Sequence, residues 1–446
     1  MKLKVEIIVS IVVLIMFITK FIPSQEIGSI DNLAYVTGIA IDTAKNNKIK
    51  VTLQFLQTIG SKEEGVSEEV PAIIDSAEGS NIAEAINLVN VYSSKHLNYS
   101  HCSIIVFSEE FAKKGISEEV KALINNNQIR CSTHILVSQC DAGEYIKQIK
   151  PTLEKLITKQ YNTSKLETKY TGYVSYDTLG NFYNNFVSDN KGGTAILANI
   201  IPNTTDDENE SSQMSQDGEK SESNSESQTQ KEGKSTSSEA MSLLADNAET
   251  IEGKSSAENI GTAVLRDGKL IGKLNVQETI VHLLINNKVN SFVLNIPISN
   301  YDDKENEDFK DLSDKKVTMS FNRKSRTKIT VDTSEKNPKI KIKVILEGNI
   351  VSIEMIDSSI EQYSIEKLEN ICNLYISDIL KNYLTRVSKE FQCDIDNMGK
   401  YAKSNFMTIK DLKKYKWNEK IQNANFEIEV KTTMFSGINT LGNNKI

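Results

Sequence analysis

The side chains best suited to metal chemistry are four histidines and five cysteines, and five of these nine lie between residues 101 and 140. The strongest candidate set comprises Cys131, His134, Cys140 and the adjacent pair His101 and Cys102. Thiolates and imidazoles are ligands that zinc prefers. The stretch CSTHILVS is typical of a strand, however, in which residues three apart point to opposite faces. We therefore predict that these side chains are structural and that no metal is bound.

Other catalytic patterns are missing from the sequence. The motifs GxGxxG, GxxxxGK[ST], HExxH and GxSxG are absent. Acidic pairs occur at residues 63–64, 68–69 and 118–119, but nothing in the sequence places two carboxylates across a cleft, as glycoside hydrolysis requires. We predict no catalytic residue, no cofactor and no metal site, and therefore a protein that is not an enzyme.

The stretch KKYKWNEK, at residues 413–420, is basic and includes Tyr415 and Trp417. Basic residues interleaved with aromatic rings suit a nucleic acid or an anionic lipid surface. Aromatic residues at this spacing more often pack a short helix onto a neighbouring sheet. The formal net charge of -8 also argues against a nucleic-acid partner, so we favour packing.

The length of 446 residues favours about three domains at ~150 residues each. The cysteines are odd in number and widely spaced, without a CxxC pair, which predicts free thiols instead of a disulfide framework.

The elements that would position any functional residue begin with a hairpin. Residues 32–57 contain two alternating segments joined by a polar turn at 44–48. In the second segment Ile49, Val51, Leu53 and Phe55 share one face, and Lys50, Thr52 and Gln54 share the other.

Strand and helix patterns then alternate. A helix with Ile82, Ile86, Val89 and Tyr92 on one side follows Ser80, a plausible N-cap. The strand CSIIVF, the helices SEEFAKKG and SEEVKALINN, and the strand CSTHILVS come next. This alternation predicts a mixed α/β first domain.

The N-terminus has an apolar run from Ile7 to Thr19, flanked by Lys4 and Lys20. Extended to residues 5–22, a helix would reach ~27 Å, which nearly spans a bilayer core. No small-x-small cleavage site follows, so we favour an uncleaved signal anchor over a cleaved signal peptide or a buried core helix. Lysines on the N-terminal side predict that the remaining chain lies outside the cytoplasm.

A polar segment interrupts the middle of the chain. From Asn203 to Glu239 the only large apolar residue is Met214, and we predict disorder there, extending to residue 258. The flanking stretches GTAILANI and GTAVLRDGKLIGKL have strand character, which places the insertion at the tip of a hairpin.

The last third predicts a sheet carrying one long helix. KIKIKVILEG reads as a half-exposed antiparallel strand, and NFEIEVKTTM closes the chain as another. The long helix runs from Ser364 to Phe391, and two short helices follow it. Its apolar side chains recur at three- and four-residue steps: Ile365, Leu368, Cys372, Tyr375, Ile379, Tyr383 and Val387.

These patterns predict a multi-domain α+β fold, with antiparallel or mixed sheets and packed helices after one N-terminal anchoring helix. The predicted division is an anchor at residues 1–23, a mixed α/β domain at 24–190, a middle domain at 191–300 and a C-terminal domain at 301–446.

Four stretches in order resemble the C subunits of bacterial spore germination receptors, the Ger(x)C family. They are the opening SIDNLAYVTGIAIDTAKNNKIKVTLQFLQ, the block that begins HLNYSHCSIIVFSEEFA, GTAVLRDGKLIGKLN, and the ending CDIDNMGKYAKSN…KKYKWNEKI…FEIEVKTTMFSGI. In the opening stretch, the residues that fit the family pattern are Ile30, Leu33, Ala34, Val36, Gly38, Ile39, Ile41, Asp42, Val51, Thr52 and Gln54.

The resemblance implies a three-domain extracytoplasmic protein that is not an enzyme. It implies a place on the outer face of the spore inner membrane, beside an A subunit and a permease-like B subunit. Such a complex senses small-molecule nutrient germinants, which the C subunit would meet indirectly.

Two features depart from the family. Its lipobox cysteine is missing, because Pro23, Ser24 and Gln25 stand where it would fall. The apolar N-terminus must then act as the anchor. The insertion that begins at Asn203 is also additional.

An alternative class is an extracytoplasmic solute-binding protein. That class predicts two similar α/β lobes around a ligand cleft, whereas the last third of this chain does not repeat the first.

Overall fold

The computed structural model describes residues 32–56, 73–149, 157–187, 192–200, 257–298, 316–353 and 365–434. These residues form a mixed α+β fold built on two sheets, as the sequence predicts. The predictions of a signal anchor at 1–23 and of disorder at 203–256 lie outside the described residues. The predicted disorder was extended to residue 258, and this was wrong for Ala257 and Glu258, which begin a strand paired with residues 199 and 200. Among the helices of the described ranges, none is both long enough and apolar enough to cross a membrane.

The first sheet has nine strands in the described part of the chain. Its order is β3-β2-β1-β5-β6-β7-β8-β9, with β4 beside the start of β1. The strands are β1 (Leu33–Thr43), β2 (Ile49–Phe55), β3 (Ile73–Gly79), β4 (His96–Asn98), β5 (Ile104–Ser108), β6 (His134–Ser138), β7 (Gly193–Ile200), β8 (Ala257–Arg266) and β9 (Lys269–Leu274).

Strand directions in this sheet are mixed. The predicted hairpin is confirmed, because β1 pairs antiparallel with β2 in the register Ile41↔Val51. Strands β1, β5, β6 and β7 are parallel, so their amino ends meet at one edge of the sheet. Strand β7 pairs antiparallel with β8, so the polar segment does connect two hairpin strands. Asp267 and Gly268 turn β8 into β9, both with positive φ, as a tight two-residue hairpin requires.

Helices cover both faces of this sheet. They are α1 (Ile82–Tyr92), α2 (Glu109–Lys114), α3 (Ser117–Asn125), α4 (Ala142–Gln148), α5 (Ile157–Tyr161), α6 (Thr163–Tyr170) and α7 (Leu179–Val187). Alternate strand residues enter separate cores: Ile105 and Phe107 pack against α1, α2, α3 and α7, whereas Ile104 and Val106 pack against α4 and α5. The parallel strands are therefore apolar on both faces, as expected when helices lie on both sides.

The second sheet holds a third core. Its order is β10-β11-β13-β12, with β14 parallel to β13, and the strands are β10 (Ser291–Pro297), β11 (Lys316–Arg323), β12 (Lys328–Asp332), β13 (Lys339–Ile353) and β14 (Asn425–Met434). The helices packed here are α8 (Val276–Ile285), α9 (Ile365–Arg386), α10 (Gly399–Ala402), α11 (Ile409–Tyr415) and α12 (Trp417–Lys420).

Strand β13 is half-exposed, as predicted. Its apolar side chains are buried at alternate positions, and Lys339 on the other face forms a 2.7 Å ion pair with Glu427 of β14.

Two local predictions were wrong. Asn81, and not Ser80, caps α1, because its side chain accepts a 2.9 Å hydrogen bond from the Glu84 amide. Strand β6 begins at His134, which leaves Cys131 in the preceding turn.

Both faces of β2 are buried. Thr52 and Gln54 lie on the face that α4 and α5 cover.

The predicted stripe of the long helix is confirmed at five of its seven residues, since Leu368, Cys372, Tyr375, Tyr383 and Val387 are buried. Ile365 is 39% exposed and Ile379 is only half-buried, whereas Ile376 and Leu380 are fully buried. Helix α9 ends in a π-helical turn, Val387–Phe391. The buried face is wider than the predicted stripe because α9 packs against both β14 and α8, and a single stripe of three- and four-residue steps describes contact with only one neighbour.

Candidate functional site: a polar cleft and the buried motif residues

A polar cleft of about 240 Å³ lies at the amino ends of β5 and β6. The turns that precede these two strands supply most of its walls. It is lined by Ser100, His101, Cys102, Ser103, Arg130, Ser132, Thr133, His134, Thr158 and Asn162.

The structure divides the five candidate metal ligands. His101, Cys102 and His134 line the cleft, whereas Cys131 is exposed in the turn before β6 and Cys140 follows the opposite end of that strand. In the described ranges, no group of three or more His, Cys, Asp or Glu side chains is arranged to hold a metal ion. Cys131 and His134 are separated because the strand begins after Cys131, and not because they point to opposite faces of one strand.

His134 is neutral at neutral pH. Burial lowers its pKa to about 4, with a contribution from the positive charge of Lys165. The ring is 4% exposed and meets Tyr176 edge-on, at 4.6 Å between ring centres. Its Nδ1 atom has no hydrogen-bond partner among the described residues. The ring is therefore uncharged, and its Nδ1 atom is buried beside the cleft.

This burial predicts a pH effect. The pKa of His134 is lower in the folded state than its unfolded value of about 6.5. The contribution of His134 to the stability of the fold is therefore lost as pH falls from 6.5 towards 4. Between pH 7 and pH 5 its contribution to the free energy of unfolding should fall by about 2 kcal/mol. We expect His134→Gln to remove this loss, measured by urea unfolding at both pH values. An unchanged difference between the two pH values in the variant would contradict the assignment.

The cleft is suited to anions and polar molecules. Arg130 is the one permanent charge among its lining residues, and none of them is acidic. The hydroxyls of Ser103 and Thr133 donate to the carbonyl oxygens of His101 and Cys102, at 3.1 and 3.0 Å. Arg130 was not singled out from the sequence, because it stands in a loop without a motif and only the fold brings it beside the turn that precedes β5.

The hairpin residues that match the family pattern form hydrogen bonds that hold helices against the sheet. The Asp42 carboxylate accepts hydrogen bonds from the amides of Ala142 and Gly143, at 2.7 and 2.9 Å, at the start of α4. Burial raises the pKa of Asp42 to about 6.

Gln54 has the same role on the next strand. Its side-chain oxygen accepts a 3.0 Å hydrogen bond from the Thr37 hydroxyl and another from the Tyr161 hydroxyl. Its amide donates to the carbonyl oxygen of Ile146 at 3.2 Å. Asp42 and Gln54 thus hold α4 and α5 in place against the hairpin.

A second set of family-like residues closes the C-terminal part. Asp394 accepts three hydrogen bonds, from the amides of Met398 and Gly399 at 2.8 and 2.7 Å and from Trp417 Nε1 at 2.9 Å. Trp417 is 1% exposed, so the hypothesis that it packs into the fold is confirmed. A side chain at Gly399 would lie 3.1 Å from the indole ring, which explains the small residue there.

A buried histidine–aspartate pair, which the sequence did not reveal, joins α8 to the loop after α9. His282 Nδ1 lies 2.9 Å from Asp396 Oδ1, and the Tyr383 hydroxyl donates to Asp396 Oδ2 at 3.0 Å. Such a pair is part of a hydrolase triad. Here the three side chains are at most 2% exposed, and His282 Nε2 has no hydrogen-bond partner in the described ranges. The pair is closed to substrate and connects helices.

A wider cleft of about 420 Å³ lies between α8 and α9. In this cleft the guanidinium of Arg386 forms an ion pair with the carboxylate of Glu278 at 2.5 Å. Glu278 also completes the capping box of α8. The charges of Arg386 and Glu278 in this cleft are therefore paired within the fold.

Two protein-family models match the chain in order. The spore germination protein N-terminal domain matches residues 27–202, and the domain described as spore germination B3/GerAC like, C-terminal, matches residues 260–436. The gap between the matches coincides with the polar segment between β7 and β8.

The sequence identity to individual relatives is low. Spore germination protein KC of Bacillus subtilis (strain 168) is 24% identical over 136 residues, which are 29% of this chain. The alignment spans 33% of that relative, about a third of its length. The crystal structure of the GerBC protein is similar over 89% of this chain and 97% of that chain, with 14% identity and a TM-score of 0.48.

Proposed function

We propose, because the chain belongs to the Ger(x)C family of spore germination proteins, that it acts in nutrient-triggered spore germination as the C subunit of a germinant receptor. The observation that carries this proposal is the ordered match of both family domains, at residues 27–202 and 260–436. The proposed partners are a membrane A subunit and a permease-like B subunit.

The use of the motif residues supports a role without catalysis. Asp42, Gln54 and Asp394 direct their polar atoms into hydrogen bonds within the fold. Residues used in this way fix the shape of a surface and do not contact a reacting molecule. The proposed subunit therefore works through its contacts with other subunits, and the germinant reaches it indirectly.

The proposed location is the spore inner membrane, with the folded part outside the cytoplasm. The support is in the sequence: an apolar run from Ile7 to Thr19 follows Lys2 and Lys4. Burial of apolar side chains is not screened by salt, so such an anchor resists high-salt washing and yields to detergent.

The experiment is a gene deletion in a spore former in which this is the only intact gene of its family. Spores without it should no longer lose optical density after nutrients are added, and the intact gene should restore the response. A gene that lacks residues 1–23 should not restore it. Deletion spores that respond to every nutrient as the parent does would contradict the proposal.

A further inference from the structure

Helix α1 carries an exposed apolar stripe near its C-terminal end. Val91 and Tyr92 are each 83% exposed, and Leu88 is 46% exposed. Their spacing of three and four residues puts them on one side of the helix. The buried residues Ile82, Ala85 and Val89 pack into the core from the adjoining side of the helix. Tyr92, which its spacing places beside Val89, is exposed at the last residue of the helix. Fully exposed large apolar side chains that lie together on a helix mark a contact surface.

The C-terminal end of this stripe lies close to the first residues of β1. The first residue of β1, Leu33, pairs with His96 of β4, which is only four residues after Tyr92. Helix α1 starts beyond Gly79, at the far end of β3, and returns to the edge where β1 begins. The start of β1 and the exposed stripe therefore lie at one edge.

Two further features lie at this edge. Ile73, the first residue of β3, is 50% exposed and pairs with Phe55, which in turn pairs with Val36 near the start of β1. The polar cleft with Arg130 lies at the amino ends of β5 and β6, which run parallel to β1.

The composition of the edge suits a bilayer surface. Tyr92 is followed by Lys95, and both are exposed. Tyrosine is enriched at the water–membrane interface, and lysine can extend from it towards water. The connection at residues 57–72, which leaves the sheet at the same edge, has four glutamates and one lysine. Contact with lipid at this edge must therefore come from apolar burial and not from charge.

We propose that this edge of the nine-stranded sheet rests on the membrane, with Val91 and Tyr92 in the interfacial layer of the bilayer. The proposal rests on the proposed anchoring by residues 1–23. Residues 24–32 number nine and span at most about 30 Å when extended, so an anchored chain keeps the edge within reach of the lipid. The edge then fixes the orientation of the folded part above the membrane.

The test uses the full chain in lipid nanodiscs, with a nitroxide spin label at Val91→Cys. The background is Cys131→Ser, because Cys131 is the one exposed cysteine of the described residues. The matched control is a label at Lys45→Cys, in the exposed turn at the other end of β1. Eleven residues of β1 separate the two sites by about 35 Å. Collisions with oxygen, which enters lipid, are compared with collisions with a water-soluble nickel chelate.

We expect the oxygen-to-nickel ratio to be severalfold higher at position 91 than at position 45, and to be unchanged in 1 M salt. Equal ratios in chains that have entered the nanodiscs would overturn the lipid contact and leave the anchor intact. Low collision rates with both reagents at position 91 would also overturn it, because they indicate a contact between protein copies. Failure of the chain to enter the nanodiscs would overturn the anchor and the contact together.

Discussion

Asp394→Ala should destabilise the C-terminal part of the fold by about 3–5 kcal/mol. The change removes the acceptor of three buried donors, the amides of Met398 and Gly399 and the indole Nε1 of Trp417. Each buried donor left unsatisfied costs about 1–3 kcal/mol. Asp394→Asn should also destabilise, because its amide group can accept through only one of its two ends.

The measurement is urea unfolding followed by tryptophan fluorescence. Trp417 is the only tryptophan of the chain and lies in the cluster itself, so its emission reports the affected region directly. The matched control is Asp411→Ala, at an exposed carboxylate that bonds Thr408 at 2.7 Å. We expect a loss of about 1 kcal/mol or less for the control, as for other exposed helix caps. Comparable losses for Asp394 and Asp411 would refute the role assigned to the cluster.

Leu380→Asp should unfold the C-terminal part or cost at least about 3 kcal/mol. Leu380 is 0% exposed, and it lies on the face of α9 that packs into the third core. A carboxylate there would be buried without a partner. The neighbouring change Ile379→Asp should cost much less, because Ile379 is only half-buried and lines the cleft beside α8.

Circular dichroism and urea unfolding of the two variants show which of the two positions, 379 or 380, faces the core. A larger loss for Ile379→Asp than for Leu380→Asp would restore the apolar stripe predicted from the sequence. The structure predicts the opposite order, because position 380 faces the core and position 379 faces the cleft.

Much of the fold could be predicted because its signals are local. The hairpin β1–β2, the turn at Asp267 and Gly268, and strands β7, β8, β13 and β14 follow from alternation and turn residues within about ten positions. Partners that depend on distant contacts could not be predicted. The hydrogen bonds of Gln54 could not be predicted, because its partners Tyr161 and Ile146 are about a hundred positions away.

The polar cleft illustrates the same limit. His101, Cys102 and His134 were singled out as metal candidates from their residue types, and the fold does bring them to one cleft. Arg130, which sets the charge of the cleft, belongs to no motif. The His282–Asp396 pair joins residues 114 positions apart, so no pattern within one segment could reveal it.

Affinity purification of this chain from the spore inner membrane tests the central claim most directly. The tagged full-length protein would be extracted in mild detergent, and the co-purifying proteins would be identified and quantified by mass spectrometry. The account predicts fixed amounts of a multi-pass permease-like protein and a second membrane subunit, both lost when the protein is extracted from a strain that lacks their genes. Recovery of the intact, folded chain without either protein would contradict its assignment as a receptor subunit.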